Sequence, residues 1–414
     1  MATEITHRRV TLPMNQVTAI DHATDGAPLA LAGRRYDLDW LRVLAFALLI
    51  LYHCGMFYVA DWGWHIKSEQ PSSFLQNLML LTSPWRMSLL FMVSGSALYF
   101  ACKKIGRLEL LQLRNQRLLL PLLFGMAVIV PPQVYIELTT SSGAQFSYWE
   151  FYQLYLNAGT DAYPEHQHGP LGLWTWNHLW FLAYLWLYTI VFVVVKPVLD
   201  RAARALQASP LNTTSLVLVP VLVLLVYRIS LADTYPPSNA LFGDWYNHAR
   251  YLSFLFAGYL IADWRSFWEL VARRRWQLLA AAVCGYLLLL GIVHGQVESA
   301  LAGLGLVESA VTVLVRLLVS FNQWFWILAL LGLAVHFLNR PNPVLSYMNE
   351  AILPWYMLHQ TLIVALAYGL STFSLPQPLE AVLLVGGTIA GCALGYEVVR
   401  RFWLGRLLFG LKRN

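Results

Sequence analysis

Ten long apolar runs occupy most of this 414-residue chain. Most are at least as long as the roughly 20 residues that a helix needs to cross a bilayer, and the sixth is short for a span. Hydrophobic residues make up 58% of the chain and charged residues 12%, which excludes a soluble globular domain and a disordered chain. The runs lie at about 38–58, 78–101, 118–138, 178–199, 214–232, 250–264, 276–293, 310–337, 344–371 and 380–399. The sequence therefore predicts an all-α, polytopic integral membrane bundle of about ten transmembrane helices.

Basic residues are concentrated in alternate connections between these runs. Most of the 28 Lys and Arg residues lie in the two tails or in every second loop, whereas loops 139–177 and 294–309 contain none. Under the positive-inside rule, this pattern puts both termini in the cytoplasm. We expect a flexible tail at 1–35, a membrane domain at 36–400 and a basic tail at 401–414. Membrane insertion then explains the positive charge, and no nucleic-acid partner is expected.

Ionisable side chains inside the apolar runs are candidates for function, because a charge at the bilayer centre costs about 2.5–3.5 kcal/mol on insertion scales. In the first run, Arg42 and His53 are eleven residues apart, or about three helical turns, so they share one face with Asp39. An interfacial ion pair also explains Asp39 and Arg42, and a hydrogen-bonded core histidine also explains His53. The full set is Asp39, Arg42, His53, Arg86, Arg316, Glu350 and His359.

Three further arginines fit a site that runs through the bundle. The second run crosses from the opposite side of the membrane and Arg86 lies about eight residues into it, so we expect Arg86 at about the depth of His53. Arg114 and Arg117 are three residues apart and present two guanidinium groups at the cytoplasmic rim. Such a pair suits phosphate, although positive-inside anchoring explains it equally well.

These residues resemble the signature of the membrane acyltransferase 3 family over about residues 36–400. The matching pieces are Arg42 and His53 with ten residues between them, Arg86 with Leu90–Gly95, Arg117 with Pro121, His178–Leu182, and Pro354–Gln360. The last motif and the Arg86 block are similar to the branch that succinylates osmoregulated periplasmic glucans. Leu90-Phe91 departs mildly from that branch, which tends to have two phenylalanines there.

The resemblance implies a bacterial inner-membrane O-acyltransferase. Its expected partners are membrane lipid, a cytoplasmic acyl-coenzyme A that donates a succinyl or acetyl group, and a periplasmic oligosaccharide or polysaccharide that accepts it. Arg42, Arg114 and Arg117 would bind the donor phosphates. His53 would be the general base and Arg86 would stabilise the oxyanion. Covalent transfer of the acyl group through His53 stays open as an alternative.

The ninth run supplies further candidates. His359 is expected to act as a hydrogen-bond donor or proton relay, with Tyr356 on the same face. Glu350 is nine residues before His359 and half a turn out of phase, so a direct pair would need a bend at Pro354.

The aromatic loop 139–177 is the expected acceptor side, with contacts from Glu150, Trp174 and Trp176 and from His178 directly after the loop. An interfacial aromatic belt explains the same residues without a ligand. No metal cofactor is predicted, because nothing completes a site around His166 and His168.

Three other functions compete with this interpretation, one of them a non-catalytic membrane sensor or scaffold. An O-acetyltransferase acting on exopolysaccharide or lipopolysaccharide would carry the same motifs. A proton-coupled transporter also uses intramembrane histidine and arginine.

Overall fold

The molecule is a helical bundle, with no β-strand in the part of the chain that the structure describes. The computed structural model describes residues 33–157, 162–167, 171–208, 210, 212–296 and 308–412. Nearly all of the predicted tail 1–35, together with His168, lies outside these residues. The described helices are α1 (Tyr36–Tyr58), α2 (Ser73–Leu80), α3 (Arg86–Cys102), α4 (Arg107–Ser141), α5 (Tyr148–Leu156), α6 (Trp180–Ala208), α7 (Thr213–Ser230), α8 (Trp245–Ile261), α9 (Arg265–Val293), α10 (Glu308–Phe337), α11 (Pro343–Ser371), α12 (Gln377–Val399) and α13 (Trp403–Leu408).

The long helices account for every predicted membrane run. Eight are long and apolar enough to cross a membrane, namely α1, α4, α6, α7 and α9 to α12. The other two, α3 and α8, have 17 residues each, which corresponds to about 25 Å of helix. The prediction of an all-α, polytopic membrane bundle is therefore confirmed.

The second predicted run, 78–101, is wrong as a single helix. Helix α2 ends at Leu80, a turn occupies 81–85, and α3 begins at Arg86. Pro84 explains the break, because proline has no N–H to donate and disfavours helical backbone at the preceding Ser83. Arg86 is consequently the first residue of a helix instead of lying two turns inside one.

Helix α4 contains two wide π-helical turns, Asn115–Leu119 and Gly125–Ile129, each of which ends two residues before a proline. Because Pro131 lacks an N–H, the carbonyl of Ala127 loses its helical partner. The hydroxyl of Tyr152 on α5 donates to that carbonyl at 2.9 Å. Part of the aromatic character of loop 139–177 thus serves to hold α5 against α4.

Helices α3 and α8 pack with their backbones in contact. A Cβ added at Gly95 would overlap the carbonyl oxygen of Leu255, and one added at Gly258 would overlap that of Met92. The hydroxyl of Ser96 donates to the carbonyl of Gly258 at 2.8 Å. Small residues are needed here because lipid tails supply no hydrophobic force between helices, so close van der Waals contact must do so.

The basic connections meet at one end of the bundle. The Nζ of Lys103 after α3 lies 2.9 Å from a carboxylate oxygen of Asp263 after α8, and Asn339 before α11 accepts from the backbone N–H of Tyr36 at the start of α1. We call this end, with residues 33–36, 103–107, 262–265, 338–343 and 400–412, the basic end. The far end contains residues 59–85, 142–147 and 371–377. That the basic end is cytoplasmic stays a prediction.

Candidate active site

His53 on α1 and His359 on α11 form a direct hydrogen bond within the bundle. The Nδ1 atom of His53 lies 2.8 Å from the Nε2 atom of His359, and the ring planes are within 9° of parallel. His359 is fully buried, whereas His53 is half-buried. The two residues are 306 positions apart in the chain, so only the packing of α1 on α11 brings them together.

A hydrogen bond to a backbone carbonyl indicates which ring nitrogens of His53 and His359 carry protons. The Nδ1 atom of His359 lies 2.7 Å from the carbonyl oxygen of Tyr356, which can only accept, so Nδ1–H of His359 donates. In a neutral ring, Nε2 of His359 is then an acceptor and receives the Nδ1–H of His53. That leaves Nε2 of His53 unprotonated. The arrangement makes His53 a base whose orientation and tautomer are fixed by His359.

His53 and Arg86 line one cavity of about 300 Å³. The guanidinium carbon of Arg86 lies 3.6 Å from the ring centroid of Tyr52, and its Nη1 donates to Thr82 at 3.3 Å. Its Nε atom is buried without a hydrogen-bond partner. Within the described chain, no Asp or Glu lines the cavity. The site therefore holds a base beside a cation that no acid neutralises, which suits stabilisation of a developing negative charge.

His178 and Tyr356 form another wall of the same cavity. The hydroxyl of Tyr356 donates to the backbone carbonyl of His178, and Nε2 of His178 lies 3.0 Å from the carbonyl oxygen of Met357. These two bonds fasten the turn Asn177–Leu179 to α11. Of the residues predicted to contact the acceptor, His178 is the one that the structure brings to His53.

The predicted donor-binding arginines lie together near the basic end. Nη2 of Arg42 donates to Asn349 on α11 at 2.6 Å and lies 3.4 Å from Asp39. The positive charges of Arg117 and Arg42 lie close enough to Arg114 to repel its guanidinium group. Within the described residues, neither Arg114 nor Arg117 forms an ion pair. Three guanidinium groups with one nearby carboxylate form a cluster that could hold phosphates.

A narrow apolar crevice separates α1 from α11 between these two regions. It is bounded by Val43 and Met348, next to the Arg42–Asn349 bond, and by Tyr356 and His359. Its volume of about 30 Å³ has room for little more than one water, so a larger occupant would have to part the two helices.

Several other predicted residues lie away from the cavity. Glu350 forms an ion pair with Arg406 at 3.2 Å and makes no contact with His359. Glu150 completes a capping box at the start of α5 with Ser147, whose hydrogen bonds lower the pKa of the Glu150 carboxyl.

The two predicted tryptophans also have structural surroundings. Trp176 is buried, and its indole N–H donates to the carbonyl of Asn239, a cavity-wall residue, at 2.9 Å. Trp174 is half-buried against the core. Trp176 thus supports the wall from behind instead of facing the space inside.

Sequence reasoning missed two groups of polar residues. Arg250 on α8 lines the cavity. It lies at the first position of its predicted run, so it is not among the intramembrane candidates named above. A buried network at the far end joins Gln133, Gln360, His65 and Glu137. Polar residues inside apolar runs were the available signal for Gln133 and Gln360. The described residues contain no cluster of three His, Cys, Asp or Glu arranged to hold a metal ion.

Comparisons with known proteins agree with this architecture. A family model described as an acyltransferase domain matches residues 35–397. Glucans biosynthesis protein C from Escherichia coli O1:K1 / APEC and from E. coli O139:H28 (strain E24377A / ETEC) are each 26% identical over 221 residues, or 51% of this chain and 53% of theirs. The chain thus spans about half the length of the curated relatives it matches. No solved structure matches it at a significant level.

The family match covers nearly all of the ten-helix domain, including every residue of the cavity and of the arginine cluster. The chain therefore belongs to the membrane acyltransferase 3 family, and its long apolar helices are those of a multi-pass membrane protein.

Proposed function

We propose that the protein transfers a succinyl or acetyl group from acyl-coenzyme A to a hydroxyl of a periplasmic glycan, an osmoregulated glucan being the favoured acceptor. The observation that carries the proposal is the unprotonated Nε2 of His53 in a cavity shared with Arg86. The protein would work in a bacterial inner membrane with its basic end in the cytoplasm, as the distribution of Lys and Arg predicts. The name printed for the matched relatives, glucans biosynthesis protein C, supports a glucan as acceptor.

The donor would bind at the basic end. Phosphates of coenzyme A carry several negative charges, and the guanidinium groups of Arg42, Arg114 and Arg117 supply hydrogen-bond donors at the same end of the bundle. The pantetheine arm is thin and largely apolar, which matches the crevice between α1 and α11. For the thioester to reach His53, the two helices would separate along that crevice. The Arg42–Asn349 hydrogen bond, next to the crevice on the side of the basic end, would then have to break.

The chemistry follows from the proton positions. The acceptor hydroxyl attacks the thioester carbonyl carbon while Nε2 of His53 takes the hydroxyl proton. Negative charge then develops on the carbonyl oxygen, where Arg86 stabilises it. When the carbon–sulfur bond breaks, the thiolate takes the proton back from Nε2 and leaves as the thiol. His359 keeps Nδ1 of His53 bonded throughout and stabilises the imidazolium that forms.

A covalent route uses the same atoms. In that route Nε2 of His53 attacks the thioester carbonyl carbon and the carbon–sulfur bond breaks, so that coenzyme A leaves as the thiolate. The acyl-imidazolium then gives its acyl group to the acceptor hydroxyl, and the thiolate takes the hydroxyl proton. Incubation with radiolabelled acyl-coenzyme A in the absence of glycan distinguishes the two, because only the covalent route leaves label on the protein.

The proposal is tested with purified protein in proteoliposomes that contain glucan oligosaccharide inside and receive labelled acyl-coenzyme A outside. Wild type should label the glucan, and His53→Gln should lower the rate by about 1000-fold, within the range for loss of a general base. His294→Gln is the matched control, since His294 lies at the far end and bonds Asn77 outside the cavity. Full activity of His53→Gln would contradict the proposal, and solute flux without donor consumption would favour the transporter.

The alternative acceptor is tested in cells. Mass spectrometry of periplasmic glucans, exopolysaccharide and lipopolysaccharide with and without the gene identifies which glycan loses mass. A change confined to lipopolysaccharide or exopolysaccharide would replace glucan as the acceptor and leave the catalytic assignment intact.

A further inference from the structure

Arg250 supplies a second guanidinium group in the cavity. The transfer chemistry proposed above does not use this group. It lies near the start of α8 and lines the cavity together with His53 and Arg86. The proposed transfer chemistry uses Arg86 for the oxyanion. A second cation in a small intramembrane cavity is costly and calls for its own negatively charged partner.

The surroundings of Arg250 hold its side chain in place without neutralising it. Its Nη2 donates to the Oδ1 of Asn247 at 2.5 Å and to the hydroxyl of Tyr251 at 2.6 Å, and the group lies 4.4 Å from the Tyr251 ring centroid. Its Nε atom is buried without a hydrogen-bond partner. All of these partners are uncharged, so they orient the guanidinium and leave its charge available.

Asp244, the acid near Arg250, already accepts hydrogen bonds from other groups. Asp244 attracts Arg250 electrostatically but forms no ion pair with it in the described chain. Its carboxylate accepts from the hydroxyl of Tyr184, from Asn247 at 2.8 Å and from the backbone N–H of Asn239 at 3.0 Å. Arg228 adds another positive charge on this side of the bundle. The cavity and its surroundings therefore keep an excess of positive charge that an anionic ligand would balance.

We propose that Arg250 binds a carboxylate at the distal end of the transferred acyl group, and so makes the enzyme selective for a dicarboxylic acyl donor. This inference rests on the proposed function and narrows its choice between succinyl and acetyl. Arg86 would face the reacting carbonyl and Arg250 the free carboxylate. One cavity of about 300 Å³ contains both groups, which suits a short diacid. Guanidinium groups recognise carboxylates through paired, charge-assisted hydrogen bonds.

The test compares succinyl-coenzyme A with butyryl-coenzyme A, which has the same number of acyl carbons and no second charge, using a neutral glucan as acceptor. Wild type should prefer the succinyl donor. Arg250→Gln should lower kcat/KM for succinyl transfer by about 100-fold and change butyryl transfer by less than about threefold, since only the succinyl donor loses a charge-assisted bond. Arg250→Lys should recover part of the succinyl rate. Arg316→Gln, which removes an arginine bonded to Asp233 outside the cavity, is the matched control.

Several results would overturn the inference. Equal use of both donors by wild type, or equal slowing of both by Arg250→Gln, would leave Arg250 with a structural role only. A second acceptor that carries uronic acid groups tests whether the carboxylate belongs to the glycan. If Arg250→Gln affects transfer only to that acceptor, the donor assignment is wrong.

A binding measurement separates this inference from the proposed function. Calorimetry with non-reactive thioether analogues of the two donors should show tighter succinyl binding, lost in Arg250→Gln. Selective binding by a wild-type protein that transfers nothing would overturn the proposed function and keep the inference. Equal binding of both analogues would overturn the inference even if transfer occurs.

Discussion

Two helix pairs flank the same cavity and are held together in opposite ways. In the α3–α8 pair, Gly95 and Gly258 bring the backbones into contact, with no room for a Cβ. In the α1–α11 pair, polar side chains make the connection, through Arg42–Asn349 near the basic end and His53–His359 beside the cavity. Between those two bonds lies the apolar crevice.

The difference shows how a membrane protein separates support from chemistry. Close backbone contact gains dispersion energy over a whole helix face and leaves no space, so α3–α8 makes a rigid wall that carries Arg86 and Arg250. Two isolated hydrogen bonds across a crevice are easier to break one at a time. We therefore expect α3–α8 to respond to volume and α1–α11 to respond to the identity of its polar groups.

The largest effect should come from adding volume to the rigid pair. Gly95→Leu forces the side chain into the backbone of α8, so we expect no folded protein after detergent extraction. Gly95→Ala should destabilise the protein by about 3 kcal/mol or more, at the upper end for overpacked sites. Thermal unfolding monitored by size-exclusion chromatography measures both. Gly386→Ala on α12 is the matched control because open space surrounds it. A normal Tm for Gly95→Ala would show that the pair is not rigid.

The next effect concerns the polar contact of the other pair. His359→Ala removes the acceptor of the His53 Nδ1–H, so we expect kcat to fall by about 100-fold with little change in KM, as for loss of a group that assists a general base. His359→Gln should recover part of the loss, because its amide oxygen can accept the same proton. Initial rates of glucan labelling measure both variants. Equal activity of the two would indicate that tautomer control by His359 is unimportant.

A smaller effect should follow from filling the crevice. Ala47 lines it on α1, so Ala47→Trp should obstruct the donor path and raise the KM for acyl-coenzyme A by about tenfold, equivalent to 1.4 kcal/mol. Leu44→Trp is the control, since Leu44 is on the same helix, exposed and outside the crevice. Unchanged donor kinetics in Ala47→Trp would exclude this path and direct attention to another route from the basic end.

The smallest effect is expected at Glu150, which lies outside both helix pairs. Its carboxylate caps α5, so Glu150→Ala should loosen one short helix and leave the transfer rate unchanged. Titration of the glucan acceptor measures this. A raised KM for glucan alone would return Glu150 to the acceptor-binding role that its sequence position suggested.

The sequence predicted the parts of the site that depend on one helix at a time. Arg42 and His53 share a face because eleven residues make about three turns, and this holds in any environment where the segment is helical. Pro84 gave a signal that the second run would break, which the apolar composition around it concealed. Arg250 was missed because its importance comes from the cavity it faces, and hydropathy does not report a cavity.

Local sequence patterns were therefore enough to predict the helices, the alternation of basic and non-basic loops between them, and the family. Hydropathy and periodicity are properties of about twenty neighbouring residues. Tertiary structure decided which polar groups meet. Glu350 pairs with Arg406 instead of His359, His359 binds His53, and Arg250 joins Arg86 in one cavity. These contacts depend on which helix faces touch, and residues up to about three hundred positions apart in the chain meet only after the bundle has packed.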